Sequence, residues 1–384
     1  MSQSSILVLS FSNLTTDPRV QRQLRMLQSE FRVTAAGYSD PQLKGVEFVS
    51  LPARRKHLGD RALAAARLKL GRFEEYYWAI DSAQAALTAL RGRAFDLIIA
   101  NDASSWPLAV ALRGRARLLF DAHEYAPREF EDLLWWRVFH QPYKTWLCRK
   151  YLSRADGSLT VCPGIAEEYE KVFGVRPELV RNVPPQQPLS PAPTDPRRVR
   201  MIHHGGATAS RKIENMIRML DQLDSDRFSL DLILVPSEPR YFQHLQTLAR
   251  GRPNVRFLPP VPMREIPACI NRYDVGLYLL EPNSFNNLHA LPNKFFEFIQ
   301  ARLAVAIGPS PEMARLVREH DCGIVAGDFS PAALSAALRP ITAAQIDAWK
   351  QNSHRAAETL CWERESATLR REVDRLLALG PCAA

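Results

Sequence analysis

The chain has 384 residues, enough for two or three domains that each bury a core of their own. Apolar residues make up 46% and charged residues 24%, as in soluble globular proteins. No run of about 18 uncharged apolar residues occurs, which argues against a membrane-spanning helix. The net charge of +9 attracts nucleic acids, anionic membranes and phosphorylated substrates alike, so it identifies no partner alone.

The N-terminus and the cysteines favour a reduced cytoplasmic protein. The chain opens directly on an apolar run, without the basic segment and the small-residue cleavage site of a secretory signal. The six cysteines are scattered and form no C-x-x-C pair, which is more typical of a cytosolic protein than of a disulfide framework or a zinc site. They are Cys148, Cys162, Cys269, Cys322, Cys361 and Cys382.

Short apolar, β-branched runs alternate with amphipathic helical segments along the first half. Such runs are typical of strands buried on both faces of a parallel sheet. The predicted strands are Ile6–Leu9, Arg32–Ala36, Phe48–Leu51, Leu97–Ala100, Leu118–Phe120 and Leu159–Val161. The predicted helices are Arg19–Gln28, Glu74–Leu90 and Ile165–Val172. Asp17 can cap the first helix, and Pro18 suits its first position.

A proline-rich segment separates this half from a second one. Six of the fourteen residues from Val183 to Pro196 are prolines, which disfavour helix and central strand, so the segment reads as a stiff linker. After this segment, strand-like and helical segments alternate again. The residues Trp362–Leu379 are predicted to form one charged helix. The predicted strands of this half are Arg200–His203, Leu230–Val235, Val255–Phe257, Val275–Leu279, Ala304–Ile307 and Gly323–Val325.

Two alternating halves around a hinge predict an α/β protein with two Rossmann-like, doubly wound domains that face a cleft. We expect an N-terminal domain over residues 1–182, a linker over 183–198 and a second domain over 199–361. A C-terminal helix over 362–384 would pack along a domain surface, with the N-terminal domain as a candidate. Ligands of such sheets bind beyond the carboxyl ends of the strands.

The first candidate site segment runs from Met201 into two glycines, Gly205 and Gly206, and on to Arg211 and Lys212. Glycines let a phosphate approach backbone amides, and both cations can pair with it. A flexible loop with solvated cations explains the same residues equally well.

A second candidate segment begins at Leu291, where a proline opens a helix. Lys294 and Glu297 share one side of this helix, so the lysine can reach a phosphate while the carboxylate accepts ribose hydroxyls. The alternative is an exposed ion pair on an ordinary surface helix. In a third segment, Asn254–Pro262, main-chain groups near Val261 can meet a base edge, unless the run is simply a rigid connector.

In their order, these segments resemble the GT-B glycosyltransferases, specifically the large retaining glycosyltransferase family 4 that includes sucrose and mannosyl transferases. The passage from Asp156–Ala166 to Leu179–Pro184 resembles the family's strand, helix and "xxNxP" approach to the linker. Asn254–Leu258 followed by Tyr273–Tyr278 resembles its base-side strands. Glu297–Val305 resembles its "EAMAxGxPV" segment. The resemblance covers nearly the full length.

The resemblance implies transfer of a sugar from a nucleoside diphosphate, UDP or GDP, with retention at the anomeric carbon and with no metal or other cofactor required. Arg211 and Lys212 would act as catalytic cations on the leaving diphosphate, Glu297 would bind the ribose, and Lys294 would lie near the phosphates or the sugar. The implied donor-binding set is Gly205, Gly206, Arg211, Lys212, Val261, His289, Asn293, Lys294 and Glu297. Fixed cations and helix-terminal amides can stabilise phosphate charge without a metal.

One position departs from the family's pattern. The paired acidic motif of the family has a first glutamate eight residues before the second, and His289 occupies that position here. In the family that carboxylate faces the donor sugar. The loop Asn283–Ala290 is therefore expected to contact the hexose through asparagines or the imidazole, and the donor sugar and stereochemical outcome stay open.

In the first half, Asp121, His123 and Glu124 follow a predicted strand at its carboxyl end. In the family a histidine here touches the donor sugar, which implies a catalytic role for His123 in orienting sugar or acceptor, with Glu124 as an acceptor-side neighbour. A capping aspartate and a surface histidine are the alternative. Arg19 lies in a "D-x-R-V" pattern that relatives share and is a second acceptor-side candidate, whereas Asp17 is expected to act as a cap.

Two segments mix cations with apolar side chains. Arg54–His57 leads into a helix that carries further cations, and Leu133–His140 leads into the aromatic and basic run Tyr143–Arg154. This mixture suits an anionic leaflet, although core aromatics with snorkelling cations explain any single tryptophan. Together the segments predict peripheral binding at the inner face of the plasma membrane, as suits a lipid-linked acceptor in cell-surface polysaccharide assembly.

The leading hypothesis is a cytoplasmic-face glycosyltransferase that moves a hexose-type sugar from a UDP- or GDP-sugar to a lipid-linked or glycan acceptor. The alternative is an isomerase of the UDP-GlcNAc 2-epimerase type, which shares the two-domain fold and needs no acceptor. The net charge also motivates a nucleic-acid-binding protein. Because no RNA or DNA module and no single basic stripe is recognised, we expect no nucleic-acid partner.

Overall fold

The computed structural model describes residues 3–52 and 58–382 and, within these ranges, the side chains of all but residues 58–60. Contacts divide this part of the chain into two units. The first unit runs to Arg181 and also takes in Ser284–Asn286 and the residues from Ser366 onward. The second unit consists of Asn182–Asn283 and Asn287–Glu365.

The first unit is built on a seven-stranded sheet. Its strands are β1 (Ser5–Leu9), β2 (Arg32–Gly37), β3 (Val46–Ser50), β4 (Leu97–Asn101), β5 (Arg117–Ala122), β6 (Gly157–Thr160) and β7 (Glu178–Leu179). Its first helices are α1 (Pro18–Leu27), α2 (Leu58–Lys69), α3 (Phe73–Trp78), α4 (Asp81–Leu90), α5 (Trp106–Leu112), α6 (Leu134–Tyr151) and α7 (Pro163–Phe173). The strands lie in the order β3-β2-β1-β4-β5-β6-β7, and every neighbouring pair is parallel.

The central strands of this sheet are covered on both faces and are mostly apolar. Every residue of β1 and of β4 is buried, which is what continuous apolar runs predict for a parallel sheet. All six strands predicted for this half overlap observed strands. The two-residue strand β7 was not predicted, since so short a segment carries no pattern.

The start of α1 follows from its capping residue. The Asp17 side chain accepts hydrogen bonds from the backbone amides of Arg19 and Val20, so the predicted cap is confirmed. The single helix predicted over Glu74–Leu90 is wrong, because two helices, α3 and α4, occupy that stretch. The chain turns at Ile80, whose backbone is extended, so that α3 packs on α2 while α4 packs on α5.

The second unit is built on a six-stranded sheet. Its strands are β8 (Val199–Gly206), β9 (Phe228–Val235), β10 (Val255–Leu258), β11 (Val275–Tyr278), β12 (Ala304–Ile307) and β13 (Gly323–Val325). The later helices are α8 (Glu214–Arg218), α9 (Pro239–Leu248), α10 (Ile266–Ile270), α11 (Phe285–Leu288), α12 (Asn293–Gln300), α13 (Pro311–His320), α14 (Pro331–Leu338), α15 (Ala343–Ala356) and α16 (Trp362–Ala378). All six strands predicted for this half overlap observed strands.

The strands of this second sheet lie in the order β10-β9-β8-β11-β12-β13 and pair in parallel throughout. Each unit therefore has the parallel, helix-covered sheet of a Rossmann-like domain, as predicted. In both sheets the sequence order reverses next to a central strand, β1 or β8, and the loops at the carboxyl ends of these strands are where ligands of such folds bind.

The proline-rich segment is held by hydrogen bonds to helices of the second unit. The Gln187 amide donates to the side chain of Gln300 in α12 at 3.0 Å, and the Thr194 amide donates to Asp347 in α15 at 2.9 Å. At the start of α16, the Trp362 amide donates to the Pro184 carbonyl at 2.9 Å. The segment is therefore anchored along its length and is not a free spacer.

The last helix, α16, buries a stripe of apolar side chains, Leu369, Val373 and Leu376, at helical spacing. None of the helices in the described ranges is long and apolar enough to cross a bilayer. The basic run Arg54–His57, part of the predicted membrane surface, lies outside the described residues.

Candidate active site

Two cations meet the backbone at the carboxyl end of β8. Gly205 has a φ of +126°, a conformation that L side chains rarely adopt. A Cβ added there would lie 2.9 Å from Lys294 Nζ and 3.3 Å from Arg211 Nη1. The backbone conformation thus favours glycine, and the ends of the two cationic side chains converge on the same point of the loop.

Lys294 lies in the first turn of α12 and is only 5% exposed. Its Nζ is 3.5 Å from Nε2 of His203 and 4.6 Å from the centre of the Tyr278 ring. The other ring nitrogen of His203, Nδ1, lies 2.9 Å from the Leu277 carbonyl. A carbonyl can only accept, so Nδ1 carries the proton and Nε2 presents a lone pair to the ammonium group.

The cluster formed by Lys294, Arg211 and the two histidines has more positive than negative charge around it. Burial and the nearby Arg211 lower the pKa of Lys294 well below its ordinary value, and Glu297 offsets only part of that effect. Burial and Lys294 likewise lower the pKa of His203 well below its ordinary value. The pKa of His204 falls to about 3 for the same reasons. Both histidines are therefore neutral near pH 7, and the environment favours the arrival of an anion.

Glu297 is also buried, at 5% exposed, on the same helix as Lys294. Its Oε2 atom lies 3.4 Å from Nε2 of His204. The interpretation of Lys294 and Glu297 as an exposed ion pair on a surface helix is therefore wrong. Two adjacent buried histidines of β8 face these two residues of α12, a pairing that brings the two candidate segments together.

Besides Nε2 of His204, two buried polar atoms near these segments have no hydrogen-bond partner among the described residues. They are Oδ1 of Asn293, the first residue of α12, and Oγ1 of Thr208, which follows the glycine pair. Buried polar atoms are normally hydrogen-bonded, so atoms that have no partner within the protein are candidates for contacts with a bound substrate. Oδ1 of Asn293 can accept a hydrogen bond from a ligand hydroxyl, and the hydroxyl of Thr208 can also donate to a phosphate oxygen.

The adjacent residues Arg211 and Lys212 have different environments in the structure. Arg211 is half-buried and approaches Gly205, whereas Lys212 is exposed and closes a short 3-10 turn with a φ of +48°. Gly206 faces Ser237, whose Oγ would lie 2.9 Å from an added Cβ. Val261 is half-buried in the loop after β10.

His289, which replaces the first glutamate of the family motif, is not alone. Its Nδ1 lies 3.2 Å from Oε1 of Glu312, in the first turn of α13. Glu312 was missed at the sequence level, because it lies 23 residues further along the chain and belongs to no motif. Glu312 therefore places a carboxylate next to His289, the position at which the family's glutamate is absent.

One asparagine of the same loop is already engaged. Asn286, which groups with the first unit, accepts a hydrogen bond from the Tyr125 amide at 2.8 Å and donates to the Tyr125 carbonyl at 3.2 Å. Its amide is therefore not available for the hexose contact expected of this loop. Asn283 and Asn287 are the asparagines that keep that role as a prediction.

A second polar group lies at the carboxyl ends of β4 and β5 in the first unit. Parallel pairing places Asn101 in register with Asp121, and the chain then continues to His123. His123 Nε2 lies 3.0 Å from Asn101 Oδ1, and its Nδ1 lies 3.4 Å from Asp102 Oδ2. A cavity of about 300 Å³ opens beside the imidazole, with Glu124 in its wall.

Charges around this cavity are arranged to hold a protonated imidazole. Burial opposes the charge, but Asp102 and Asp121 outweigh it and raise the pKa of His123 to about 9. Desolvation by the surrounding protein raises the pKa of Glu124 to about 7, and the negative charges of Glu129 and Asp102 add to the effect. The cavity therefore offers a cationic donor next to a carboxyl group that titrates near neutrality.

Arg19 does not reach this cavity as an acceptor ligand would require. It is 2% exposed, and it holds both carboxylate oxygens of Asp121 at 2.7 and 2.6 Å while a third nitrogen donates to the Val180 carbonyl. Although burial opposes ionisation, Arg19 and His123 hold the pKa of Asp121 well below its ordinary value. The acceptor-side expectation for Arg19 is replaced by a role in fixing the carboxylate behind His123.

Residues 17–186 match the family model described as "Glycosyl transferase 4-like domain". This region is a glycosyl transferase 4-like domain. The match covers the first part of the chain, and the two Rossmann-like units together have the GT-B fold of the solved glycosyltransferase structures. A comparison with curated proteins gives no match. Among the described residues, no group of three or more His, Cys, Asp or Glu side chains is placed to hold a metal ion.

Solved structures share the fold along nearly the whole chain. A sucrose-phosphate synthase from Thermosynechococcus elongatus superposes with a TM-score of 0.75 at 14% identity, over 98% of this chain and 100% of its own. WaaG, a glycosyltransferase involved in lipopolysaccharide biosynthesis, gives a TM-score of 0.62 at 14% identity, over 94% and 99%. Anabaena HepE, in complex with UDP and glucose, gives 0.64 at 14% identity, over 98% and 99%. At this identity the likeness shows the fold.

Proposed function

We propose that this glycosyltransferase moves a hexose-type sugar from a UDP- or GDP-sugar to a lipid-linked or glycan acceptor, in the synthesis of cell-surface polysaccharide or glycolipid. One observation carries the donor assignment: the convergence of Arg211 and Lys294 on Gly205 in a buried group short of negative charge. A nucleoside diphosphate would bring the missing charge to the carboxyl end of β8. The binding of UDP by HepE, a structural neighbour, supports the same choice.

In this proposal the two cations bind the diphosphate and stabilise it as the leaving group. The planar guanidinium of Arg211 suits two phosphate oxygens, and the Lys294 ammonium adds a point charge. Fixed cations in a buried site stabilise charge that develops in the transition state without further reorganisation. We propose no metal for the step, because these side chains already supply the positive charge.

The nucleoside half is assigned to Glu297 and the loop after β10. A buried carboxylate accepts hydrogen bonds from the two ribose hydroxyls, and main-chain groups near Val261 meet the base. Asn293 would use its unpaired Oδ1 to accept a hydroxyl hydrogen from the sugar or the ribose. Lys212, being exposed, would contribute less than Arg211.

On the first unit, we assign His123 to the orientation of the sugar or acceptor and Glu124 to an acceptor hydroxyl. The raised pKa of His123, about 9, keeps the imidazole a hydrogen-bond donor on both nitrogens at neutral pH. Retention at the anomeric carbon is the outcome that the family resemblance implies, with His289 in place of the glutamate. The anomeric coupling constant in the proton NMR spectrum of the product tests it, and inversion would overturn it.

An apolar, cationic surface supports peripheral membrane binding. At the start of α6, Leu134, Trp135 and Val138 are 67%, 55% and 52% exposed, and Arg137 is exposed between them. Leu70, which directly follows the adjacent helix α2, is 71% exposed. Apolar side chains mixed with cations suit an anionic leaflet. We propose that this surface brings the enzyme to the inner face of the plasma membrane and to a lipid-linked acceptor.

Calorimetric titration with UDP and with GDP tests the donor site. We expect Glu297→Ala and Arg211→Ala each to weaken binding of the preferred nucleotide by about ten-fold or more, as for a lost charged hydrogen bond. Lys212→Ala is the matched control and should change affinity by less than about three-fold. Unchanged affinity in the first two variants would reject the assignment. Conversion of a UDP-sugar without any acceptor would instead favour the isomerase.

A further inference from the structure

The second unit has a cavity of its own at the amino ends of its strands. It lies at the opposite end of the sheet from Gly205. It has a volume of about 440 Å³ and is formed where β8, β9 and β10 begin. Four arginines line it, Arg198, Arg200, Arg227 and Arg256. The one acidic side chain among the lining residues is the exposed Asp226.

Two of the four arginines are fixed by buried aspartates beneath the cavity. Arg256 holds both carboxylate oxygens of Asp231, at 2.8 and 2.7 Å. Arg200 contacts both oxygens of Asp274 at 3.2 Å, and the buried Lys350 contacts the same carboxylate at 3.3 Å. These carboxylates hold the guanidinium groups in place, but Asp274 is shared between two cations, so positive charge remains in excess.

The other two arginines have no carboxylate partner among the described residues. Arg227 donates to the carbonyls of Arg339 and Ile341 and lies over the ring of Phe228, 4.8 Å from its centre. These contacts orient its charge without neutralising it. Arg198 is exposed, and its side chain has no partner among the residues that the structure describes.

Like charges gathered around one cavity repel each other, and an anion placed among them removes that repulsion. Ser229, in register with Arg200, and Asn254 add neutral polar groups to the wall. We propose that this cavity binds a phosphate-bearing anion and is a site separate from the donor site.

The chemistry of the wall and the position of the cavity define the ligand class. Guanidinium groups bind phosphate oxygens in pairs, and a cavity of this volume is in the range of small-molecule sites, so the ligand is larger than one inorganic phosphate. The eight residues of β8 extend about 25 Å at roughly 3.3 Å per residue, so a ligand bound at Arg198 cannot be the diphosphate held at Gly205. Either a soluble organic phosphate or the phosphate of a lipid headgroup has this chemistry.

Titration with inorganic pyrophosphate tests the site. The measurement is made with and without saturating UDP, so that binding at the donor site is told apart from binding here. We expect Arg198→Glu to weaken the UDP-insensitive binding by about ten-fold or more, since it reverses a charge on the wall. Arg197→Glu is the matched control: its residue is the exposed neighbour that does not line the cavity, and it should leave this binding within about two-fold.

Vesicles of phosphatidylcholine, with and without phosphatidate, distinguish the two sources. Pyrophosphate binding that depends on Arg198 assigns a soluble phosphate. If the protein sediments only with the vesicles that contain phosphatidate, and if Arg198→Glu but not Arg197→Glu abolishes this, the ligand is a lipid headgroup. Equal effects of both variants, or no binding of either probe, would overturn the proposal. Because the readout is anion binding, this outcome is independent of whether UDP binds at the donor site.

Discussion

The Nζ atom of Lys294 lies 3.5 Å from Nε2 of His203, so a buried amine faces an imidazole nitrogen that carries no proton. Both groups have a pKa well below the ordinary value, because burial penalises charge and Arg211 adds positive charge nearby. Protonation of this pair is therefore favoured as soon as an anion arrives.

The first prediction is that UDP or GDP binding takes up protons. A diphosphate beside Lys294 raises the lowered pKa of its amine, so the filled site binds more protons than the empty one as the pH approaches the ordinary value. Titration calorimetry in buffers of different ionisation enthalpy measures this uptake as the slope of the observed heat. We expect net uptake between the lowered pKa of Lys294 and its ordinary value of 10.5, and we expect the uptake to disappear in Lys294→Met. A slope of zero in the wild type at every pH in that range would contradict it.

The second prediction is that Lys294→Met stabilises the unliganded protein while it abolishes nucleotide binding. The depressed pKa of Lys294 means that the unfolded state binds more protons, so wild-type stability rises with pH up to the ordinary value of 10.5. The variant should lose this rise and gain roughly 1 kcal/mol near pH 7, since a poorly compensated buried cation is removed.

Lys350→Met is the contrasting variant. Lys350 is equally buried, but it is paired with Asp274, so its removal leaves a carboxylate less well compensated and should destabilise the protein. Urea unfolding of both variants gives the comparison. Destabilisation of similar size in both would show that Lys294 is an ordinary structural lysine.

The third prediction concerns Gly205. Alanine there would need a backbone conformation with φ near +126° and would bring a Cβ to 2.9 Å from Lys294 Nζ. We expect Gly205→Ala to cost about 1–3 kcal/mol of stability through backbone strain and to displace the lysine, with loss of UDP affinity. Gly206→Ala, whose added Cβ meets only the rotatable Ser237 side chain, is the control. Wild-type nucleotide affinity in a folded Gly205→Ala protein would remove Gly205 from the site.

How far the sequence predicts these relationships depends on their range along the chain. The predicted strands overlap the observed ones, because a strand covered on both faces is apolar over most of its length. The break at Ile80 was missed, because it is set by the neighbours on which α3 and α4 pack and leaves no glycine or proline as a local signal. Propensity and periodicity describe local segments and not their partners.

The candidate site divides in the same way. Lys294 and Glu297 were singled out by a family resemblance, but their burial against His203 and His204 depends on contacts between α12 and β8 that no local pattern encodes. Both histidines lie in the candidate segment that runs from Met201 to Lys212, and the predicted strand ends at His203. Two polar residues at the end of a strand predicted to be buried on both faces were the available signal.

The fourth prediction concerns the charge on His123. Its pKa, raised from 6.5 to about 9 in the folded protein, means that its contribution to stability is fully present below pH 6.5 and is lost as the pH rises through 9. Asp102→Asn should lower the pKa of His123 by removing the nearer charge, and proton NMR of the imidazole reports it. Asp132→Asn, at an exposed aspartate, serves as the control. An imidazole that titrates near 6.5 in the wild type would contradict the prediction.

The fifth prediction tests whether Glu312 positions His289 for the donor sugar. The 3.2 Å contact between them fixes the imidazole where the family places a carboxylate, so Glu312→Gln should weaken this hold without touching the diphosphate contacts. We expect turnover of the nucleotide sugar to fall by about ten-fold and UDP affinity to stay within about two-fold, the pattern of an interaction used in the transition state. Glu319→Gln, on an exposed carboxylate of the same helix that pairs with Arg315, should leave both unchanged. If Glu312→Gln weakened UDP binding and turnover together, the residue would act through the fold of the donor site and not through the sugar.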